Sequence, residues 1–188
     1  MEKNIFSFDC ETNGLYGFAF AVGAVVLDKS GRTLDSFTCI TETEKVTDEW
    51  VLKNILSDLL TYNDLRKCIS QLRMRNLFWD FWMIHRETSI CISDFGSPVE
   101  SGFFRQCIMD NPERTFLGPY PLHEVETLLI SKGVESDTDR IKFSGLVDMR
   151  KHHPLDDAYV SAICWLKAMN MTNVPSLKVV FSKDIPHL

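Results

Sequence analysis

Two acidic residues near the amino terminus constrain the fold and chemistry of this chain more than any other feature. Asp9 and Glu11 end an apolar stretch, 4–8, that has the composition of a buried strand. Because side chains alternate along an extended backbone, the two carboxylates of this Asp-x-Glu motif point to the same side. Two carboxylates held together at a buried strand end repel each other, so they require a cation between them or a proton on one of them. The alternative is that both are solvated at the end of an edge strand.

The segments after this motif predict an α/β domain. A turn at 13–17 leads into an apolar second strand, 17–28, and an alternating stretch at 33–40 completes an antiparallel meander. The further predicted elements are a helix capped by Thr47, a longer helix from about residue 63, a strand at 89–94, a helix opened by a capping box at Ser97-Pro98-Val99-Glu100, helices at 122–132 and 154–169, and an edge strand at 177–181. We expect one domain over 1–188, with its core at about 3–170 and an extension at 171–188.

The charge and cysteine content narrow the classes of function. The 188 residues carry a formal net charge of −6, which argues against a broad electrostatic grip on duplex nucleic acid and suits a site that concentrates divalent cations. The six cysteines form no C-x-x-C pair, so we expect reduced core residues rather than a zinc site or a disulfide framework. Since no secretory signal and no membrane-length apolar run is present, we expect a cytoplasmic protein without membrane contact.

Further acids and a histidine occur at predicted element ends. Asp94 ends the short strand at 89–94, and His152 precedes Asp157 by five positions at a helix start that Pro154 marks. The doubled His-His and Asp-Asp leave the register of this last motif open between His152 and His153.

This order of residues resembles the DEDDh 3′–5′ exonucleases of the ribonuclease-H-like superfamily. Their motifs are D-x-E-T near the amino terminus, a strand-terminal Asp in mid-chain, and H-x-x-x-x-D on the last helix. Asp9 and Glu11 match the first motif, Asp94 the second, and His152 with Asp157 the third. The resemblance covers residues 3 to about 170. It implies a ribonuclease-H-like mixed sheet, with an antiparallel three-stranded start followed by parallel strands and with helices on both faces.

The second motif is where this chain departs from the family pattern. Members usually have a small or polar residue shortly before the mid-chain Asp, where this chain has Ile90 and Cys91. Asp80 is the competing acid, but it lies within a helical pattern rather than at a strand end.

The resemblance also implies a mechanism. Two divalent metal ions, Mg²⁺ or Mn²⁺, would be held by carboxylates, which are the ligands that hard cations prefer. Asp9 would bridge both ions, Glu11 and Asp157 would complete one site, and Asp94 would act through bound water. His152 would be the general base, because its ordinary pKa lies near neutrality.

The expected partners are the 3′ ends of single-stranded RNA or DNA, with RNA slightly favoured. The candidate substrate-binding residues follow the first motif; they are Thr12, Leu15, Tyr16 and Phe18, of which the last three equally fit core or turn packing. The product would be nucleoside 5′-monophosphates. The alternatives are a DNA exonuclease and a catalytically weakened relative that only binds nucleic acid, and a homodimer is left open.

Overall fold

The structure, a computed structural model, describes residues 3–171 and contains six strands and six helices in that range. α1 comprises single α-turns at Glu49–Val51 and Ser57–Leu59 on either side of a π-helical segment, Leu52–Leu56. In chain order the elements are β1 (Asn4–Thr12), β2 (Ala19–Leu27), β3 (Thr33–Thr41), α1 (49–59), β4 (Lys67–Cys68), α2 (Gln71–His85), β5 (Ser89–Ser93), α3 (Val99–Met109), β6 (Leu122–Glu124), α4 (Val125–Ser131), α5 (Arg140–Ser144) and α6 (Pro154–Asn170). The edge strand predicted at 177–181 lies outside the described residues.

The strands form one mixed sheet in the order β4-β3-β2-β1-β5-β6. β1 pairs antiparallel with β2, and β2 pairs antiparallel with β3, which confirms the predicted meander. The pairs β1–β5, β5–β6 and β3–β4 are parallel. The predicted mixed α/β sheet is therefore confirmed.

The alternation of side chains on β1 divides the core into two layers. Phe6, Phe8 and Cys10 pack against the aromatic residues of α2 and α3 on one face of the sheet. Ile5 faces the opposite side, where α4 and α6 supply the apolar partners. β2 is buried at every position, because it lies inside the sheet and is covered on both faces. Helices thus lie on both faces, as predicted.

Two predicted helix starts are wrong because edge-strand pairing replaces the first turns. The helix expected from about residue 63 begins at Gln71, where Ser70 accepts a hydrogen bond from the Arg73 amide at 3.2 Å. The preceding residues instead pair with β3 as β4. The helix expected at 122–132 begins at Val125, since β6 pairs with β5.

Two predicted caps are also wrong. Asp48 rather than Thr47 caps α1, accepting a hydrogen bond from the Val51 amide at 3.0 Å. Ser97 makes no capping bond to α3; the helix begins at Val99, and the carboxylate of Glu100 accepts a hydrogen bond from the backbone of Cys10.

Two of the six cysteines are not reduced, contrary to the prediction from the sequence. Cys39 on β3 and Cys68 on β4 form a disulfide, with their Cα atoms 6.5 Å apart, so they are not the reduced core residues that we predicted. Cys10, Cys91, Cys107 and Cys164 are free and buried. Within residues 3–171, none of the helices is long and apolar enough to cross a membrane.

Candidate active site

The acid pair of β1 faces α6. Asp9 and Glu11 share the sheet face of Ile5, whereas Cys10 between them points into the aromatic core. Burial, followed by the charges of Glu11 and Asp157, raises the pKa of Asp9 well above its ordinary value. Glu11 is 7% exposed, and burial raises its pKa although contact with a histidine opposes that effect. The pair therefore favours a proton or a cation, as the sequence predicts.

The start of α6 lies directly against the sheet beside this pair. Gly23 on β2 is the partner of Asp9 in the ladder, and a Cβ at Gly23 would collide with the backbone of Pro154 and Leu155. Only glycine leaves the space for the helix start to approach this closely. The approach brings Asp157, in the first turn of α6, next to the β1 acids; burial and the charge of Glu11 raise its pKa to about 7.

His152 adds a basic group to this cluster. Its Nδ1 lies 3.7 Å from Oε1 of Glu11, and this contact raises the pKa of His152. One ligand atom from each of Glu11, His152 and Asp157 lies within 4.8 Å of the other two. The ring of Trp50 meets His152 edge to face, with the ring centroids 6.1 Å apart.

The turn after β1 positions Trp50. The side chain of Asn13 accepts hydrogen bonds from the amides of Thr47 and Asp48 at 2.9 and 2.8 Å. This tie joins the Asp-x-Glu turn to the start of α1, where Trp50 stands 57% exposed. The sequence analysis did not single out Trp50, because an exposed aromatic residue in a helix carries no local signal of its neighbours.

Asp94 follows β5, as predicted, but a basic side chain binds it. Nε of Arg140 lies 2.9 Å from Oδ1 of Asp94, and the same guanidinium also binds Glu126. Burial raises the pKa of Asp94, and the pairing with Arg140 opposes that effect. Glu126 thus binds an arginine rather than serving α4 as a simple first-turn charge.

Glu100 is an acid of the site that sequence reasoning missed. It lies in the first turn of α3, is 7% exposed, and within residues 3–171 pairs with no Lys, Arg or His. Burial, with the charges of Glu11 and Asp94 adding to it, raises the pKa of Glu100 to about 7. The charge of Glu100 also raises the pKa of Asp9, and it does so more strongly than the charge of Asp94. The available signal was an acid at a helix start shortly after a strand end, which we had interpreted as a cap.

Most of these groups line one cleft of about 720 Å³, whereas Glu11, Trp50 and Glu126 are not among its lining residues. Its acidic and basic lining residues are Asp9, Asp94, Glu100, Asp139, Arg140, Lys151, His152 and Asp157. Asp80 is exposed on α2 and is not part of this cleft. His153 is fully buried and bonds to Asp64 rather than to the cleft acids, so the two histidines occupy different environments.

A second groove of about 580 Å³ adjoins the cleft and shares Leu15 and residues 97–99 with it. Thr12 and Tyr16 also line the groove, and Tyr16 is 86% exposed. Arg105 on α3 lies on the groove as well. Phe18 lines neither space, because it packs against the apolar cluster between the sheet and α1.

Comparisons with known proteins define the class of fold. No family model and no curated protein matches this chain. Among solved structures, S. pombe Pop2p in a Mg²⁺- and Mn²⁺-bound form is similar, with a TM-score of 0.63 and 11% identity over 87% of this chain and 81% of that chain. E. coli ExoI, in a zinc-bound complex with single-stranded DNA, is similar with a TM-score of 0.63 and 9% identity over 90% of this chain.

The match covers 41% of ExoI, so this chain spans less than half the length of that protein. At these identities the likeness concerns the fold. The chain has the ribonuclease-H-like fold, and the resemblance predicted from the sequence is confirmed at that level.

Proposed function

We propose that this protein is a metal-dependent 3′–5′ exonuclease that shortens single-stranded nucleic acid and releases nucleoside 5′-monophosphates. The observation that carries the proposal is the convergence of Glu11, His152 and Asp157, whose ligand atoms lie within 4.8 Å of one another, beside the cleft that Asp9, His152 and Asp157 line. The metal-bound form of Pop2p and the single-stranded DNA held by ExoI, two proteins of the same fold, support it.

The donor set fits a hard divalent cation. Asp9, Glu11, Asp157 and Glu100 supply only carboxylate oxygens, and each has a raised pKa that an added positive charge would lower. These four acids would hold two ions, Mg²⁺ or Mn²⁺. Bound ions would stabilise the charge that develops at the phosphate during hydrolysis. We assign Asp94 an indirect role, since its carboxylate binds Arg140.

His152 would accept a proton from the attacking water. Its side chain is 43% exposed at the cleft, so the ring has access to solvent there. As the water oxygen bonds to phosphorus, the bond to the 3′ oxygen of the preceding nucleotide breaks, and that oxygen takes a proton from solvent, which leaves a strand with a new 3′ hydroxyl.

The groove offers a path for the strand that leads to the terminal phosphodiester. Leu15 and Tyr16 present exposed apolar surface on which unpaired bases could stack, and Arg105 is a cation for a phosphate. Thr12 lines the same groove, whereas Phe18 would act through packing. We retain RNA as the slightly favoured substrate and DNA as the alternative.

Incubation of 5′-labelled single-stranded RNA and DNA of equal sequence, with Mg²⁺ and then with Mn²⁺, tests the proposal. We expect a ladder that shortens one nucleotide at a time, and an inactive Asp9→Ala variant. Cleavage of a circular substrate would contradict exonuclease action. Early release of the labelled 5′ nucleotide would contradict the 3′–5′ direction. Binding without cleavage under both cations would instead identify a catalytically weakened relative.

A further inference from the structure

The segment behind His152 contains an arginine held between two carboxylates. Arg150 binds Asp156 through a two-pronged contact, with Nε 2.9 Å from Oδ2 and Nη2 2.7 Å from Oδ1. Its Nη1 donates to both carboxylate oxygens of Asp64, at 3.1 and 3.0 Å. One guanidinium therefore joins the first turn of α6 to the segment that precedes β4. A planar guanidinium suits such a double contact in a way that a lysine does not.

His153 completes this arrangement from the buried side. Its Nε2 lies 3.3 Å from Oδ1 of Asp64, and its Nδ1 lies 3.2 Å from Oδ1 of Asp156. The amide of Asp156 also approaches Nδ1, at 3.4 Å, so both ring nitrogens of His153 have polar partners within the fold. The side chain is fully buried, so it faces no substrate. We call Asp64, Arg150, His153 and Asp156 the clamp.

An aromatic ring and a strand hold the clamp to the rest of the fold. The ring of Tyr62 lies 4.9 Å from the guanidinium carbon of Arg150 and 5.1 Å from the ring of His153. The carbonyl of Asp64 accepts a hydrogen bond from the Thr38 hydroxyl on β3 at 3.2 Å.

Between two members of the clamp, the chain adopts a backbone conformation that is uncommon for residues other than glycine. His152 has φ of 56°, and it stands between Arg150 and His153. Such a residue persists in the left-handed region where the surrounding contacts fix it. The clamp supplies these contacts on both sides of His152, and it accounts for the doubled His-His and Asp-Asp of the sequence.

We propose that the clamp positions His152 toward Glu11 and the cleft, with Arg150 as its central positioning residue. The inference rests on the proposed function for its catalytic consequence but not for its geometry. A clamp that only stabilised the fold would affect melting and activity together. A positioning clamp affects His152 and turnover while the fold and the carboxylate cluster stay in place.

The test compares Arg150→Lys, which keeps the charge and loses the planar fork, with Arg75→Lys. The control is matched, because Arg75 binds Asp110 through Nε and Nη2 at 2.6 and 2.9 Å and belongs neither to the cleft nor to the clamp. Asp64→Asn serves as a second variant, since the Asp64 side chain is 49% exposed and we expect the variant to fold.

Two readouts separate the clamp from the proposed function. In ¹H–¹⁵N spectra of the histidine side chains, assigned with His152→Ala and His153→Ala, we expect the His152 signals to shift or broaden in Arg150→Lys and Asp64→Asn and to stay unchanged in Arg75→Lys. Unchanged His152 signals in a folded Arg150→Lys protein overturn the proposal, whether or not the protein is a nuclease.

For turnover, we expect Arg150→Lys to lower kcat about tenfold or more with KM within about twofold, as for a group that acts only on the reacting geometry. In a His152→Ala background the same change should add almost nothing, because both act through one side chain. If the two reductions in kcat instead multiply in the Arg150→Lys, His152→Ala double variant, the proposal is overturned. If Arg150→Lys alters the His152 signals but the wild-type protein cleaves neither RNA nor DNA, the nuclease proposal is refuted and the clamp proposal stands.

Discussion

The buried carboxyls of the cleft make the stability of the cation-free protein depend on pH. Asp157 has an ordinary pKa of 3.8, which rises to about 7 in the fold, and Glu100 rises from 4.5 to about 7. Between these limits the unfolded chain has released protons that the folded protein still holds. The contribution of these two carboxyls to stability is therefore fully present below a pH of about 4 and is lost as the pH rises toward 7.

The magnitude follows from the size of these changes. One pKa unit corresponds to about 1.4 kcal/mol, so Asp157 alone gives a loss of about 4 kcal/mol between the two limits. For a chain of this size, 1 kcal/mol corresponds to roughly 2–4 °C in Tm. We expect the cation-free protein to melt roughly 5–10 °C lower at pH 8 than at pH 5, since part of the loss occurs below pH 5. The raised pKa of His152 acts in the same direction.

The lowered pKa values of Asp64 and Asp156 affect stability at lower pH. Their contribution is present above their ordinary pKa and is lost as the pH falls through the folded value, so it stays constant between pH 5 and 8.

The assay is thermal melting in EDTA over this pH range for the wild type, Asp157→Asn and Asp110→Asn. Asp157→Asn carries no charge at any pH, so we expect it to melt higher than the wild type at pH 8 and to show a flatter pH dependence. Asp110 lies outside the cleft in an ion pair with Arg75, and its variant controls for the loss of an acid. Adding Mn²⁺ at 100 times its Kd should stabilise the wild type by about 2.7 kcal/mol, with a smaller gain for Asp157→Asn.

Two results would refute this reasoning. One is a wild-type Tm in EDTA that stays level or rises from pH 5 to pH 8. The other is an Asp157→Asn protein that melts at or below the wild type at pH 8 while Asp110→Asn behaves normally.

Four further tests concern individual residues of the site. Glu100→Gln should lower kcat about 100-fold or more and Asp94→Asn clearly less, measured on the same labelled strand; the reverse order would restore Asp94 as the fourth acid. Gly23→Ala should lower both Tm and Mn²⁺ affinity, because the new Cβ displaces the start of α6; calorimetry measures both, and a normal Mn²⁺ affinity contradicts it. Trp50 is 57% exposed and its ring contacts His152, so under the proposed function we expect it to stack on a base of the bound strand; Trp50→Ala should raise KM about tenfold with Trp50→Phe near wild type, whereas an equal loss in both would exclude ring stacking. Arg105→Ala should raise KM for a long strand and reduce the salt dependence of binding by about one charge, with a dinucleotide as the control that it should not affect.

Local patterns were sufficient to predict the part of the fold that carries the first motif. The apolar stretches 4–8 and 17–28 correspond to β1 and β2, and strand alternation alone places Asp9 and Glu11 on one face. Proline at a helix start also predicted α6 correctly. Each of these signals lies within a few consecutive residues, so no tertiary contact was needed to read it.

The remaining features depend on partners distant in sequence. β4 and β6 are edge strands of two and three residues, and pairing with β3 and β5 overrides the helical pattern of the segments that contain them. Glu100 satisfies the pattern of a capping box, yet its carboxylate binds the backbone of β1. The different environments of His152 and His153 depend on Asp64, which lies 89 positions from His153.

If the proposed function is correct, the charge of the cleft determines when a nucleic acid can enter it. The protein has a net charge of −6, and four acids in or next to the cleft lack a lysine or arginine partner within residues 3–171, namely Asp9, Glu11, Glu100 and Asp157. A phosphodiester is itself an anion, so without compensation its approach to these carboxylates is repulsive. Protonation removes this repulsion only where the pH lies below the raised pKa values. At pH 8 divalent cations must therefore supply the compensation, and substrate affinity as well as turnover should depend on them. Arg105 in the adjoining groove acts farther from the acids, and its attraction for the strand persists without cations.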